Sequence, residues 1–331
     1  MLAGFVALAG GQSPEFQLDA DTGWTQTDAP PPGSDEAIIS EARSLIARER
    51  FKEAERLMSR FIARAQREDN PWLPDALLLR GDAELAQRNE YDALFDYERI
   101  IQQFPASDVF AEALERQFEI GSRYVDGLRR KFLGIRFQNA RLLGEELLIR
   151  VQERLPSSTL AEEAAIKLAD HYYERRDMEL ASEMYSIFLD NFRESRHRMR
   201  AQVRQIFANI ARFKGPEYDS GGLIDAGELI DRFQARQPAE AERVGITAGL
   251  EARLDESAAL KKLEIARWYF RRNDEPAARF MLQRLIREHP RSNAAQTALR
   301  TLEERGWIRG RSGDTPAPDG AAREVSAELS P

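Results

Sequence analysis

From about Asp35 to Arg309 apolar residues recur three and four positions apart, the spacing of one helix face, and strand-type alternation is hard to find. Gly and Pro fall between the periodic runs, where helices should stop. Ile38, Ala42, Leu45, Ala54 and Met58 predict a first helix pair, closed by "EDNPWLP" at 68–74. A third pair starts with "FAEALERQFEIGSRY" (110–124) and resumes at 139–156 after an insertion around "DGLRRKFLGIR". A fifth runs over Met199–Phe213, breaks at "KGPEYDSGG" and resumes with Ala226, Ile230, Phe233 and Pro238. An extra segment at 239–257 reads as helical around "ITAGLEARLDESAAL".

The helix stops are alike. "IIQQFPAS" (100–107), "VQERLPSS" (151–158), "FLDNFRES" (188–195) and "LIREHPRS" (285–292) each run from an apolar residue to a ring or Leu, a stop and a serine. Counting back from these stops lays a 34-residue tetratricopeptide template on three windows. One holds Leu77, Gly81, Ala93, Tyr97 and Pro105; a second Leu168, Ala169, Tyr172, Ala181 and Tyr185, with Arg193 in place of the proline; a third Ala266, Tyr269, Ala278, Leu282 and Pro290. Positions 8 and 20 must be small so that the two helices of a pair cross closely, and the larger apolar positions fill the space within and between pairs. The expected fold is an all-α, tetratricopeptide-like helical-repeat solenoid of about six helix pairs over 35–309, with disordered N- and C-terminal tails.

The two ends differ from this body. "MLAGFVALAG" is a short apolar run with Ala7 and Ala9 in an A-x-A arrangement, so residues 1–9 resemble the end of a secretory signal, although no Lys or Arg precedes the run. Residues 10–34, rich in Pro, Gly, Asp and Thr, read as a flexible linker, and 310–331 as a disordered tail.

Chemistry is scarce. The chain contains no cysteine, which excludes disulfides, thiolate metal sites and cysteine nucleophiles. The histidines His171, His197 and His289 have no metal-ligand spacing. His289 takes the helix-ending position filled by Phe104 and Leu155 elsewhere and reads as packing; His171 precedes a tyrosine pair and also reads as structural, with partner contact the lesser reading. There is no phosphate loop, dinucleotide fingerprint or nucleophile elbow. "GPEYDSGG" lacks the spacing of a calcium loop and the lysine of a phosphate loop, and reads as a long turn. No catalytic, cofactor-binding or metal residue is expected, and the chain reads as a scaffold and not an enzyme. "ARWYFRRNDEPAARF" (266–280) has the rings and arginines of a single-strand nucleic-acid platform. The net charge of −8 argues against that use. The template also places Ala266 and Tyr269 inside a helix pair, and makes "RRNDEP" its turn, with Asn273 or Asp274 as cap.

The C-terminal unit, 260–307, resembles the final repeat of the BamD-type outer-membrane assembly lipoproteins. The residues that carry the likeness are Glu264, Trp268, Tyr269, Arg271, Arg272, Ala277, Ala278, Pro290, Ser292, Ala294 and Ala295. The junctions "FPASDVFAEAL" and "LPSSTLAEEAA" are similar to those of that family as well. The resemblance implies a periplasmic subunit of the machinery that folds β-barrels into the outer membrane, docking a barrel-assembly component mainly through C-terminal repeats and outer-membrane protein peptides through N-terminal ones. The family's lipid-anchored cysteine has no counterpart here, which leaves membrane attachment open. The insertions near 126–137 and 214–222 and the segment 239–257 exceed the compact five-repeat pattern. The alternative is a general periplasmic adaptor similar to the CpoB/YbgF proteins that coordinate envelope growth.

Register alone suggests where partners bind. Positions 5, 9 and 12 of each first helix should face a groove: Leu78, Asp82 and Leu85 in the second pair, Ile166, Asp170 and Tyr173 in the fourth. In the last pair, Arg267, Phe270 and Arg271 fall on or near the same side, with Trp268 less well placed. Protein partners, no nucleic acid and no cofactor are the expectation.

Overall fold

The computed structural model describes residues 15–19, 23–27, 30–132 and 134–308. The signal-like segment 1–9 and the tail 310–331 lie outside the described residues. The helical repeat is present, with six successive pairs among the described residues: α1 (Asp35–Ala47) with α2 (Phe51–Ala65), α3 (Leu73–Ala86) with α4 (Glu90–Gln103), α5 (Phe110–Val125) with α6 (Arg141–Arg154), α7 (Thr159–Glu174) with α8 (Met178–Asn191), α9 (Arg198–Arg212) with α10 (Gly221–Arg236), and α12 (Ala248–Arg271) with α13 (Glu275–Glu288). The short α11 (Pro238–Arg243) precedes the sixth pair and α14 (Asn293–Glu304) follows it.

The template residues occupy the positions that their sizes require. Ala93, Ala169, Ala181, Ala266 and Ala278 have no exposed surface, and neither do Leu77, Tyr97, Tyr185 or Leu282. At Gly81 the reason for the smallest residue is visible: a Cβ there would stand 2.7 Å from the Tyr97 ring. The third pair crosses more closely still. A Cβ on Gly144 would lie 2.8 Å from the Gly121 carbonyl oxygen and 2.9 Å from the Val125 nitrogen, so two backbones meet where side chains normally intervene.

The recurrent serines close the stops. The Ser158 hydroxyl donates to the Leu155 carbonyl (2.7 Å) and accepts from the Ala161 amide (3.0 Å), capping α7. Ser292 does the same with His289 and Ala295. Each cap satisfies an amide that the helix start leaves unpaired, an effect of about 1 kcal/mol. Between first and second helices the tight turns use a left-handed residue that is not glycine: Glu49, Arg88, Arg176 and Asn273, with φ between 59° and 61°. In the last of these turns Asp274 is the cap of α13, accepting from the Ala277 amide at 3.1 Å.

Three features add detail that the sequence reading did not carry. The stretch read as a linker contains strands β1 (Glu15–Asp19) and β2 (Gly23–Thr27), paired antiparallel from Glu15↔Thr27 to Asp19↔Gly23. Its sequence does alternate, Phe16 and Leu18 with polar residues, but over too few positions to outweigh the Pro, Gly and Asp around it. The insertion of the third pair is a second antiparallel ladder, β3 (Arg130–Phe132) with β4 (Ile135–Gln138). The extra segment after the fifth pair is helical as expected: α11 lies at its start, and its second helical part runs on without a break into the sixth pair as the 24-residue α12.

Contacts divide the chain into Met1–Ala201 and Gln202–Pro331. In the second unit two apolar cores lie along α12. Leu250 belongs to a core with Ile206, Ile230, Phe233, Ala241 and Ile246, while Ala259, Leu263 and Ala266 belong to another with Leu282, Leu285, Ala298 and Leu302. A helix of this length spans about 36 Å, enough to serve both.

Candidate partner-binding surface

In the first unit, the two acids placed by register on a groove wall are already engaged. Asp82 accepts from the Tyr97 hydroxyl at 2.8 Å and from Arg116 Nε at 2.8 Å. Tyr97 lies on the second helix of the same pair and Arg116 on the first helix of the next, so one carboxylate ties three helices. Asp170 repeats this, accepting from Tyr185 at 2.6 Å and pairing with Arg200 at 3.0 Å. Burial and the Asp82 carboxylate push the Tyr97 phenol well above its ordinary range, so it stays a donor. Leu78 and Ile166 are each only 5% exposed and belong to the core. Leu85 is half-buried, and so is Tyr173, which packs edge-on against Tyr185 at 6.1 Å. His171 is buried as well and bonds Glu145 at 3.1 Å, a carboxylate that also accepts from the Tyr172 hydroxyl at 3.0 Å.

The second unit presents a different face. A groove of about 540 Å³ lies between the turn after α9 and the C-terminal half of α12. Pro216 and Glu217 form one wall; Lys261, Ile265, Trp268 and Arg271 line the other. A larger groove of about 1050 Å³ extends along α12, sharing Lys261 and Ile265 and reaching α10 through Leu223 and Ile224. Trp268 is 41% exposed, set edge-on to Tyr269 at 5.0 Å and carrying the Arg272 guanidinium over its ring at 4.2 Å. Such a ring offers a large apolar contact at small entropic cost, and tryptophan beside arginine is the composition of strong protein-contact sites. Glu264 holds the cations in place, accepting from Arg271 at 3.1 Å and from Arg267 at 3.5 Å.

Of the register-derived residues here, Arg267 and Arg271 are exposed. Phe270 is half-buried, stacked on Trp307 at 6.0 Å and 18° and covered by Arg305 at 4.3 Å. Register alone missed Lys261, Ile265 and the turn residues Pro216 and Glu217. The "GPEYDSGG" stretch is a turn, and it is also a groove wall. His289 does more than pack: its Nδ1 meets Asp255 at 2.6 Å and its Nε2 the Lys262 ammonium at 3.0 Å, on the border of the larger groove. Among the described residues no cluster of three or more His, Asp or Glu could hold a metal ion, and no helix is long and apolar enough to cross a membrane.

Paired helices with small crossing residues, with interlocking side-chain bonds in the first unit and an aromatic–cationic groove in the second, define a tetratricopeptide-type scaffold for protein–protein contact. Comparison with known families makes this specific. The model of YfiO, an outer membrane lipoprotein family, matches residues 144–311, and a tetratricopeptide-repeat model matches 75–107. The chain belongs to the YfiO outer membrane lipoprotein family, as the BamD-type resemblance implied. None of the curated proteins matches. Among solved structures, the C-terminal part of a TPR repeat-containing protein from Cytophaga hutchinsonii is 14% identical, with 79% of this chain and 99% of that one covered and a TM-score of 0.30.

Proposed function

We propose that this protein is a non-catalytic scaffold of the cell envelope that binds protein partners in the assembly of outer-membrane β-barrels. It works on the periplasmic side, and a barrel-assembly component is its principal partner. The observation that carries this reading is the extent of the family match. It covers α12 and every residue that lines the aromatic–cationic groove, so that surface of the second unit falls within the family's own segment. Trp268 and Ile265 supply the apolar contact, Lys261 and Arg271 the charge, and Glu264 orders the arginines. Asp82 and Asp170 belong to the repeat's internal bonding, so peptide recognition in the first unit falls to side chains such as Leu85 and Tyr173. The alternative, a general periplasmic adaptor of the CpoB/YbgF kind, shares the fold and differs in its partner.

Affinity capture from envelope extracts separates the two. The scaffold reading expects recovery of a barrel-assembly protein, weakened at least about tenfold by Trp268→Ala with Arg271→Glu, since a central aromatic anchor and its neighbouring charge together cost several kcal/mol. Recovery of cell-wall proteins alone would sink it in favour of the adaptor.

A further inference from the structure

The C-terminal half of α12 reverses the charge of the chain. Lys261–Arg272 holds five cations, Lys261, Lys262, Arg267, Arg271 and Arg272, and one acid, Glu264, in a protein of net charge −8. Glu264 takes Arg267 and Arg271, and Lys262 pairs with Glu288 at 3.0 Å. Among the described residues Lys261 and Arg272 have no ion-pair partner. Lys261, Ile265, Trp268 and Arg272 follow one another at four, three and four positions, so they share one helix face in the order cation, apolar, apolar, cation. The first three line the groove of about 540 Å³, and Arg272 lies over the Trp268 ring.

The complement is carried by the chain itself. Beyond the described residues, 314–330 holds four acids, Asp314, Asp319, Glu324 and Glu328, against one cation, Arg323. The only apolar residues of 309–331 larger than proline are Val325 and Leu329, four positions apart, and each follows a glutamate. The segment also starts beside the groove. Trp307 stacks on Phe270 at 6.0 Å, two residues along α12 from Trp268, and Ile308 packs against the core that contains Ala266. Residues 309–323 separate this point from Glu324, a length of chain that spans up to about 50 Å. Passing round α12 takes about 12 Å, and Lys261 to Arg272 about 17 Å. Such a tether holds the segment at an effective concentration of about a millimolar, an advantage that a separate acidic peptide lacks.

We propose that residues 324–329 of this chain dock on the α12 face, Val325 and Leu329 against Ile265 and Trp268, with Glu324 and Glu328 at Lys261 and Arg272. A protein partner must then displace the segment, a consequence that rests on the function proposed above. The chain has no cysteine, so two introduced thiols have only each other to oxidise with. In the full-length protein, Glu217→Cys with Val325→Cys links the groove wall to the segment, and Phe280→Cys with Val325→Cys is the reference. Phe280 is 57% exposed and follows Arg279, which donates to the Trp307 carbonyl at 3.0 Å, so a segment without a seat meets it at least as often. Under air, the first intramolecular disulfide should form at least about fivefold faster than the second. Glu324→Gln with Glu328→Gln should slow it at least about threefold, with the thermal midpoint unchanged. Equal rates for the two pairs overturn the proposal and leave the face to separate partners. Disulfide-linked dimers in place of the intramolecular product overturn it in favour of a second copy, and a rate indifferent to the glutamates also overturns it. No partner takes part in this reaction, so its failure and that of the scaffold reading are told apart. Without the thiols, the glutamine variant should capture a barrel-assembly protein at least about twofold better. Unchanged capture beside rapid cross-linking overturns the displacement.

Discussion

The second pair and the sixth pair follow one template and put it to opposite uses. At position 9 of the first helix the second pair has Asp82 and the sixth has Arg267; at position 24 they have Tyr97 and Leu282. Asp82 is consumed by Tyr97 and Arg116, whereas Arg267 lies exposed with only the long contact to Glu264. At position 11 the second pair has Glu84, where the sixth has Tyr269 beside the groove. Position in a repeat therefore sets which way a side chain points. Its role depends on what the neighbouring helices send to meet it.

Exchanging the charges breaks this comparison most severely. Asp82→Arg leaves Tyr97 without its acceptor and sets two guanidinium groups against each other, and it should cost about 3–5 kcal/mol in denaturant unfolding of the first unit. A stability within about 1 kcal/mol of the parent would remove the three-helix tie from the account. Glu84 comes next. Its Oε2 is buried without a hydrogen-bond partner, and burial, with Asp96 nearby, raises its carboxyl to about 7. The folded state therefore holds a proton that the unfolded state has already released. This contribution to stability is full below about pH 4.5 and is lost as pH rises through about 7. Glu84→Gln should flatten that fall, by about 1–3 kcal/mol between pH 5 and 8, in unfolding curves taken across that range.

Smaller changes sharpen the contrast. Gly81→Ala must displace the Tyr97 ring and should cost about 1–3 kcal/mol by thermal unfolding. Tyr97→Phe keeps the packing and loses one hydrogen bond to a carboxylate, for about 1–2 kcal/mol. In the sixth pair Arg267→Ala should shift stability by less than about 0.5 kcal/mol, since its one ion pair is exposed and long.

Much of this fold is legible in the sequence because the template's requirements are steric. Small residues at close crossings, rings and leucines in the fill, and a serine after each stop leave marks that survive divergence. The site is less legible. Asp82 and Asp170 look like wall residues on a helical wheel, since a wheel shows the direction of a side chain and not the groups that reach it from another helix. One signal was available: an aspartate followed fifteen residues later by tyrosine occurs at 82–97 and again at 170–185, and the sixth pair lacks both members. The two ladders escape for another reason. Each strand has five residues or fewer, too short for alternation to stand out against turn-forming neighbours. Groove walls drawn from a turn, such as Pro216 and Glu217, have no periodicity at all.

Under the proposed function the exposed α12 face of the sixth pair meets partners, while the matching positions of the second pair hold the repeat together. Asp82→Ala and Trp268→Ala with Arg271→Glu should therefore be measured side by side, for thermal midpoint and for capture of a barrel-assembly protein from envelope extract. The first variant is expected to lose several degrees and to retain capture below its midpoint, and the second to keep its midpoint and lose capture. A Trp268→Ala, Arg271→Glu protein that captured this partner as well as the parent would contradict the proposed function.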